Sequence, residues 1–159
     1  MALRSPAALA VLVLALAPTV LGAQDRQSER AFTLNERIPA GQWLRVRNVI
    51  GEVNVRAASG DRVEIVATKS WRRGDPKVVR IESRKSADGS ILVCAFWNEN
   101  ATCDENGYRS RGEGRGHRNN DVAVEFEVRL PKGVNVGAWS VNGEVSVEGA
   151  TVPVGVVSP

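Results

Sequence analysis

Alternation of apolar and polar residues dominates the chain after residue 24. The clearest case is the segment 122–130, in which every second residue is apolar and the residues between are polar or small. A period of two predicts a β-strand with one face on a core and the other in solvent, as antiparallel sheets commonly have. The apolar face consists of Val122, Val124, Phe126, Val128 and Leu130.

Six further segments read as strands, and turn residues such as Asn142-Gly143 separate the predicted strands. Their spacing of about 8–12 residues favours an all-β sandwich or solenoid over any α/β arrangement. Ile91–Trp97 is apolar on both faces, which predicts a place near the middle of a sheet. The other five are Phe32–Asn35, Trp43–Arg47, Glu52–Ala57, Arg62–Thr68 and Val78–Ser83.

The first 23 residues have the pattern of a secretory signal peptide. Arg4 precedes an apolar stretch from Ala7 to Ala17, and small residues up to Ala23 provide a cleavage site. This stretch is shorter than the roughly 20 apolar residues that span a bilayer. We therefore predict a signal peptide over 1–23 and a single exported β-domain over 24–159, periplasmic or at the cell surface or secreted. No transmembrane segment is expected after signal removal; an uncleaved anchor is the alternative.

Charge and composition argue against several classes of function. The net charge of +3 is too balanced to predict a nucleic-acid partner. His117 is the only histidine, so a nucleophile with a histidine base has one candidate, and it lies among glycines and arginines. We expect no enzymatic activity and no cofactor.

Cys94 and Cys103 are the only cysteines. In an oxidising compartment they are expected to form a disulfide, which stabilises a loop of this length by about 2–3 kcal/mol in the loop-entropy model. Two free thiols or a metal pair are the alternatives. A metal pair lacks the further cysteine and histidine ligands that such sites use.

The segment 98–120 breaks the strand pattern and predicts a flexible loop insertion, tied at its base by the disulfide. Its first half is acidic, and Glu99, Asp104 and Glu105 are candidate calcium ligands because calcium prefers oxygen donors. The order of these residues does not match an EF-hand, and a solvated turn is the alternative.

The second half of this segment is rich in arginine and glycine. Arginine pairs with phosphate and carboxylate groups through two parallel hydrogen bonds, so the run is a candidate anion-binding site. A flexible loop that serves only solubility has the same composition. The candidate residues are Arg109, Arg111, Arg115 and Arg118.

Trp43 and Trp139 lie on the polar phase of their strands. Exposed together they would form an aromatic patch of the kind that binds sugars or proteins. The alternative is that each packs at an end of the sandwich or beneath a loop.

The phrase Gly-Glu-Val-polar-Val occurs twice, at 51–55 and at 143–147. The segment 47–55 resembles the opening of the bacterial "putative adhesin" family of exported β-strand-repeat domains. The segment 130–147, with its Pro-Lys-Gly turn and its Asn-Gly, resembles the central motif of that family. The resemblance covers roughly residues 30–157, and it implies a β-sandwich-like part that passes into a right-handed β-solenoid.

Two departures from the family bear on the interpretation. The long Cys-bounded loop is not part of its pattern, and the chain stops at Pro159 where such proteins usually continue, which leaves truncated C-terminal rungs as one interpretation. The terminal sheet edge would then be open to self-association. The two copies of the repeated phrase lie 92 residues apart, too distant in sequence for neighbouring rungs of a uniform solenoid, so the first is assigned to the sandwich and the second to the solenoid.

These observations predict an all-β fold, with an antiparallel β-sandwich-like part and the start of a β-solenoid. The function expected is a non-catalytic interaction or surface-structural module with an unknown surface ligand or protein partner. The alternative is an envelope carbohydrate-active or calcium-binding protein that uses the acidic loop and exposed tryptophans. A concave pocket that holds Glu99, Asp104 and Glu105 beside Trp97 would favour the alternative.

Overall fold

The computed structural model of the chain describes residues 25–110, 120–150 and 154–157, the last of these as backbone only. The predicted signal peptide therefore lies outside the described residues. The described part is all-β, as predicted, and its only helix is one 3-10 turn at Pro76–Val78. The strands are β1 Gln27–Glu36, β2 Trp43–Ile50, β3 Val53–Ala57, β4 Val63–Trp71, β5 Arg80–Lys85, β6 Ile91–Phe96, β7 Ala101–Asp104, β8 Gly107–Ser110, β9 Ala123–Leu130, β10 Asn135–Asn142, β11 Val145–Glu148 and β12 Val154–Val157.

The strands form two five-stranded sheets and one two-stranded hairpin. Sheet A has the order β1-β4-β9-β3-β11, and sheet B has the order β12-β10-β2-β6-β5. Strands β7 and β8 form the hairpin. Nowhere in the described ranges is there a helix with the length and apolar character needed to cross a bilayer.

Both sheets are mixed, which corrects the prediction of an antiparallel sandwich. The pairs β1–β4, β4–β9 and β5–β6 are antiparallel. The other five pairs in the two sheets are parallel: β9–β3 and β3–β11 in sheet A, and β12–β10, β10–β2 and β2–β6 in sheet B. Two of the parallel pairs, β10–β2 and β3–β11, follow from the turns at Gly51 and Gly143, which each carry the chain from sheet B to sheet A. Equivalent strands that enter these turns run in the same direction and therefore pair in parallel.

The two copies of the repeated phrase lie side by side. Val53 pairs with Val145 and Val55 with Val147, so the copies are hydrogen-bonded neighbours 92 residues apart. The interpretation that placed them in separate parts of the molecule is wrong. The two copies are neighbours although they are distant in sequence, because most of the strands between them in the chain belong to the same two sheets.

The turns between the sheets require glycine at both copies. Gly51 has a φ of +114°, and a Cβ there would collide with the carbonyl oxygen of Val124. A Cβ on Gly143 would collide with the carbonyl oxygen of Gly51, because the two turns stack directly. The Gly51 oxygen also accepts hydrogen bonds from the buried side chains of Asn48, at 2.9 Å, and Ser140, at 2.7 Å.

The main core lies between the two sheets. The predicted apolar face of β9 points into it, and Val122, Val124 and Phe126 are fully buried. Trp97 is 1% exposed, and its indole N–H donates to the carbonyl oxygen of Val122 at 2.9 Å. A buried indole with a satisfied N–H is a packing residue.

Strand β6 is buried on both faces, as its sequence suggested, although it lies next to the edge strand β5 and not in the middle of sheet B. Its inward residues face the main core. Its outward residues pack under the hairpin, in a second apolar cluster of Leu92, Cys94, Phe96, Ala101 and Cys103. The hairpin therefore accounts for burial on the outer face.

Candidate binding face

The outer face of sheet B collects the aromatic and basic side chains that β2 and β10 direct away from the core. On β2, Leu44 and Val46 point inward and are fully buried, so alternation directs Trp43, Arg45 and Arg47 outward. The parallel register places Gly137 beside Arg45, and Trp139 beside Arg47. We call the outward side chains Trp43, Arg45, Arg47 and Trp139, together with Tyr108 of the hairpin, the aromatic–arginine face.

Trp43 and Arg45 form a stacked pair across Gly137. The guanidinium carbon of Arg45 lies 5.0 Å from the centroid of the Trp43 ring, within the range of a cation–π contact. A Cβ on Gly137 would lie 3.7 Å from Cγ of Arg45 and 4.0 Å from Cζ3 of Trp43. These are ordinary van der Waals distances, so Gly137 lies directly beside both side chains without being required for their stacking.

The guanidinium of Arg45 has no ion pair with any carboxylate of the described residues. Its charge does act on Asp88, whose pKa is lowered mainly by hydrogen bonds from Ser90, with Arg45 a smaller cause. The planar fork of Arg45 is therefore held by the Trp43 ring and has donors to offer.

Tyr108 and Trp139 form a second aromatic pair. Their ring centroids are 6.2 Å apart and their planes are 28° from parallel. On its other side Tyr108 contacts Phe96, at 5.9 Å between centroids. Burial raises the pKa of Tyr108, so its hydroxyl stays protonated at neutral pH. The hairpin thus adds an aromatic ring to the face.

The predicted disulfide is confirmed between Cys94 on β6 and Cys103 on β7, with 6.5 Å between the Cα atoms. Its position differs from the prediction of a tie at the base of a long loop. Cys103 is the penultimate residue of β7 and lies close to the turn of the hairpin. The disulfide therefore holds the end of the hairpin against sheet B, and so helps to hold Tyr108 beside Trp139.

Arg47 forms a hydrogen bond to the turn of the hairpin. One terminal nitrogen of Arg47 donates to the carbonyl oxygen of Glu105 at 3.2 Å, while its Nε is buried without a hydrogen-bond partner among the described residues. Burial lowers the pKa of this guanidinium, and the nearby charge of Arg45 lowers it further. The role of Arg47 is to anchor the turn, whereas Arg45 is the more available cation.

The three candidate calcium ligands do not converge. Glu99 lies in the turn before β7, whereas Asp104 is the last residue of that strand. Within the described residues no group of three or more histidine, cysteine or carboxylate side chains is placed to hold a metal ion. Glu105 is exposed, and its carboxylate accepts a hydrogen bond from the hydroxyl of Ser86 at 3.3 Å.

Asp104 is occupied by the hairpin turn itself. Its carboxylate accepts hydrogen bonds from the backbone N–H groups of Asn106 at 2.8 Å and Gly107 at 3.0 Å. It also pairs with Arg109 at 3.1 Å. The hydrogen bond from Asn106 is the main cause that lowers the pKa of Asp104. These contacts are those of a residue that fixes a turn.

Of the predicted anion-binding arginines, Arg109 lies on β8 and is exposed apart from its pair with Asp104. Arg111, Arg115 and Arg118 lie outside the described residues, as does His117. The anion-binding run therefore stays a prediction.

Asp104 and Glu105 do line a cleft of about 260 Å³ beside the hairpin turn. Neither Glu99 nor Trp97 is among its lining residues, and Trp97 is enclosed in the main core. The arrangement that would have favoured the carbohydrate-active or calcium-binding alternative is therefore not formed. The cleft is lined by Arg84, Ser86, Leu92, Asp104, Glu105 and Asn106.

On the outer face of sheet A, the polar side chains around Asn54 satisfy one another. The hydroxyl of Ser146 donates to Asn54 at 2.7 Å, and the amide of Asn54 donates to Glu127 at 3.2 Å. One row along, Arg56 pairs with Glu148 at 3.7 Å.

The two predicted tryptophans do share one face, but sequence reasoning missed Arg45, Gly137 and Tyr108. The alternation Trp-x-Arg-x-Arg from residue 43 could have identified Arg45 as a neighbour of Trp43 on the polar phase of β2. Gly137 and Tyr108 carry no such signal, because their places depend on strand register and on the disulfide.

No family model and no curated protein matches the chain. Among solved structures it is similar to a "putative cell adhesion protein" from Clostridium sporogenes, with 11% identity and a TM-score of 0.44. The match covers 84% of this chain and 57% of that protein, so the chain spans little more than half of its length. A likeness this distant assigns no function to the chain.

Proposed function

We propose that the protein is a non-catalytic exported interaction module that binds its ligand through the aromatic–arginine face. The observation that carries this proposal is the Trp43–Arg45 pair. It is held on an outward surface, with an aromatic ring and a guanidinium free of any described carboxylate. Trp43 and Arg45 are each half-buried, and aromatic and arginine side chains are enriched among the residues that dominate binding surfaces.

The state of the acidic residues supports a binding role over catalysis. Hydrolysis of a glycosidic bond needs two carboxyl groups that face each other across a substrate cleft. Here Asp104 is engaged by the hairpin turn and by Arg109, and Glu99 lies in the turn that precedes β7. The disulfide supports export, because such bonds form and persist in oxidising compartments.

We also propose that β10, β11 and β12 begin a β-solenoid with an edge available for self-association. Strand β12 returns to sheet B and pairs in parallel with β10, with Val154 beside Val136. In the first copy of the repeat Val53 and Val55 are fully buried, whereas Val145 and Val147 of the second copy are only half-buried. The half-buried pair lies on β11, the end strand of sheet A in the described part of the chain.

Co-sedimentation with native envelope material tests the interaction proposal. The wild-type protein is expected to bind, and Trp43→Ala and Trp139→Ala are expected to reduce the bound fraction. Val78→Ala, which trims an apolar side chain 38% exposed and outside the face, is the matched control and should bind like the wild type. Equal binding by all four proteins would rule the face out as the binding surface.

A further inference from the structure

We propose that the ligand of the aromatic–arginine face is a linear polysaccharide that carries carboxylate groups. This inference rests on the proposed function and names the chemistry of its ligand. Two features of the face carry it: the fork of Arg45, which no described carboxylate occupies, and two tryptophans set apart along the strands.

The guanidinium of Arg45 fits a carboxylate. A guanidinium stacked on an aromatic ring keeps its N–H edge available, and that edge binds a carboxylate through two parallel hydrogen bonds. Arg45 is stacked in this way on Trp43, at 5.0 Å, and no carboxylate among the described residues occupies it. Contact with Trp43 also reduces the side-chain entropy lost on binding.

The separation of Trp43 and Trp139 along the sheet fits an extended ligand. Trp139 pairs in register with Arg47, four residues along β2 from Trp43. Trp43 and Trp139 are thus separated by about 13 Å along the strands and about 5 Å across them. Both tryptophans are half-buried, with Arg45 against the ring of Trp43 and Tyr108 against that of Trp139. A sugar chain laid along the strands would contact the part of each indole that stays exposed. Tyr108 holds Trp139 in place from the hairpin side.

The same geometry disfavours other polymers. Peptides that bind β-sheets commonly add a strand at an edge, whereas β2 lies between β10 and β6 and has partners on both sides. Single-stranded nucleic acid is bound in strongly positive grooves, and the whole chain has a net charge of only +3. The one available guanidinium of the face, that of Arg45, can pair with one carboxylate of a bound acidic polysaccharide.

Calorimetric titration of the mature protein with polygalacturonate oligomers tests this inference. The wild type is expected to bind, and binding should weaken about tenfold in Arg45→Gln, the loss of one charged hydrogen-bonded contact. Arg45→Lys keeps the charge but loses the planar fork and should fall between the two. Arg129→Gln, on the outer face of sheet A, is the matched control and should bind like the wild type. Thermal melting of each variant verifies that it is folded.

Probe polymers separate the explanations. Carboxyl-reduced polygalacturonate, which has the same backbone without the charge, is expected to bind at least about tenfold more weakly than the acid form. Equal binding of the two polymers, or an unchanged affinity in Arg45→Gln, would overturn carboxylate recognition. Preferential binding of single-stranded DNA or of phosphatidylglycerol vesicles would overturn the choice of a polysaccharide. If no probe binds while envelope sedimentation still depends on Trp43, this inference fails and the proposed function stands.

Discussion

The repeated phrase provides two valines with the same neighbours in sequence and different environments, and truncating each one measures how the strands stack. Val53 on β3 is fully buried between β9 and β11, whereas its partner Val145 on β11 is half-buried at the end of sheet A. We predict that Val53→Ala destabilises the protein much more than Val145→Ala.

The magnitudes follow from the area and cavity that each change leaves. Removing two methyl groups costs about 0.8 kcal/mol for each buried carbon, and a closed cavity adds to this. Val53→Ala should therefore lower the free energy of unfolding by about 2–3 kcal/mol. Val145 has less surface to expose and leaves a space open to solvent, so Val145→Ala should cost about 1 kcal/mol.

Urea denaturation followed by the intrinsic tryptophan fluorescence, to which the buried Trp97 contributes, gives the free energies of both variants. Val55→Ala and Val147→Ala form a second matched pair with the same expected order. Equal losses within either pair would refute the reasoning, because they would mean that β11 is covered in solution as fully as β3. A loss in Val145→Ala that grows with protein concentration would identify a second copy as the cover.

Three further changes test other parts of the structure. Replacing both Cys94 and Cys103 with serine should lower the free energy of unfolding by about 2–3 kcal/mol. It should also shift the tryptophan fluorescence, because the hairpin that packs against Trp139 loosens. Unchanged spectra and stability would contradict the role given to the disulfide. Gly143→Ala should lower the melting temperature, because its Cβ would collide with backbone atoms. In Gly137→Ala the Cβ makes only ordinary contacts, so its free energy of unfolding should stay within about 0.5 kcal/mol of the wild type. Equal melting temperatures of the two variants would count against the stacked turns. Asp121→Asn should be less stable than the wild type at neutral pH, and the difference in the free energy of unfolding should shrink below about pH 4. A stability difference that does not depend on pH would show that the carboxylate charge is not involved.

The sign of the Asp121 effect follows from its contacts. Its carboxylate accepts backbone hydrogen bonds from Gly74 at 2.8 Å, Arg72 at 3.1 Å and Arg73 at 3.2 Å. The bond from Gly74 is the main cause that lowers the pKa of Asp121 below its ordinary value of 3.8. Because the folded-state pKa is depressed, the stabilisation is present above the unfolded pKa and is lost as the pH falls through the folded one.

The strands of this fold could be read from the sequence because their signal is local. The alternation in 122–130 follows directly from the one buried face of β9, and the disulfide followed from two cysteines close in sequence. Partner choice is not local. Nothing in the residues of β3 distinguishes a parallel neighbour from an antiparallel one, so the mixed sheets and the direct pairing of the repeats were missed.

The binding face shows the same division. Alternation on β2 and β10 places Trp43 and Trp139 on the polar phase, but it leaves open whether they form a patch or pack beneath a loop; both are half-buried, and Trp139 packs against Tyr108 of the hairpin. The stacking of Arg45 on Trp43 over Gly137 needed the register of β2 on β10, and the contact of Tyr108 with Trp139 needed the hairpin to fold back. Composition alone drew attention to the acidic residues, but the structure uses Asp104 to fix a turn.

The pairing of Asn54 with Ser146 across 92 residues has a kinetic consequence. Strand β3 acquires its second neighbour only after nearly the whole chain is present, and closing a loop of this length costs about 4 kcal/mol of chain entropy. Folding dominated by such distant pairings is slow, and until β11 arrives one edge of β3 is open to any other strand. A nascent chain that has reached β9 but not β11 is therefore the species most prone to aggregate.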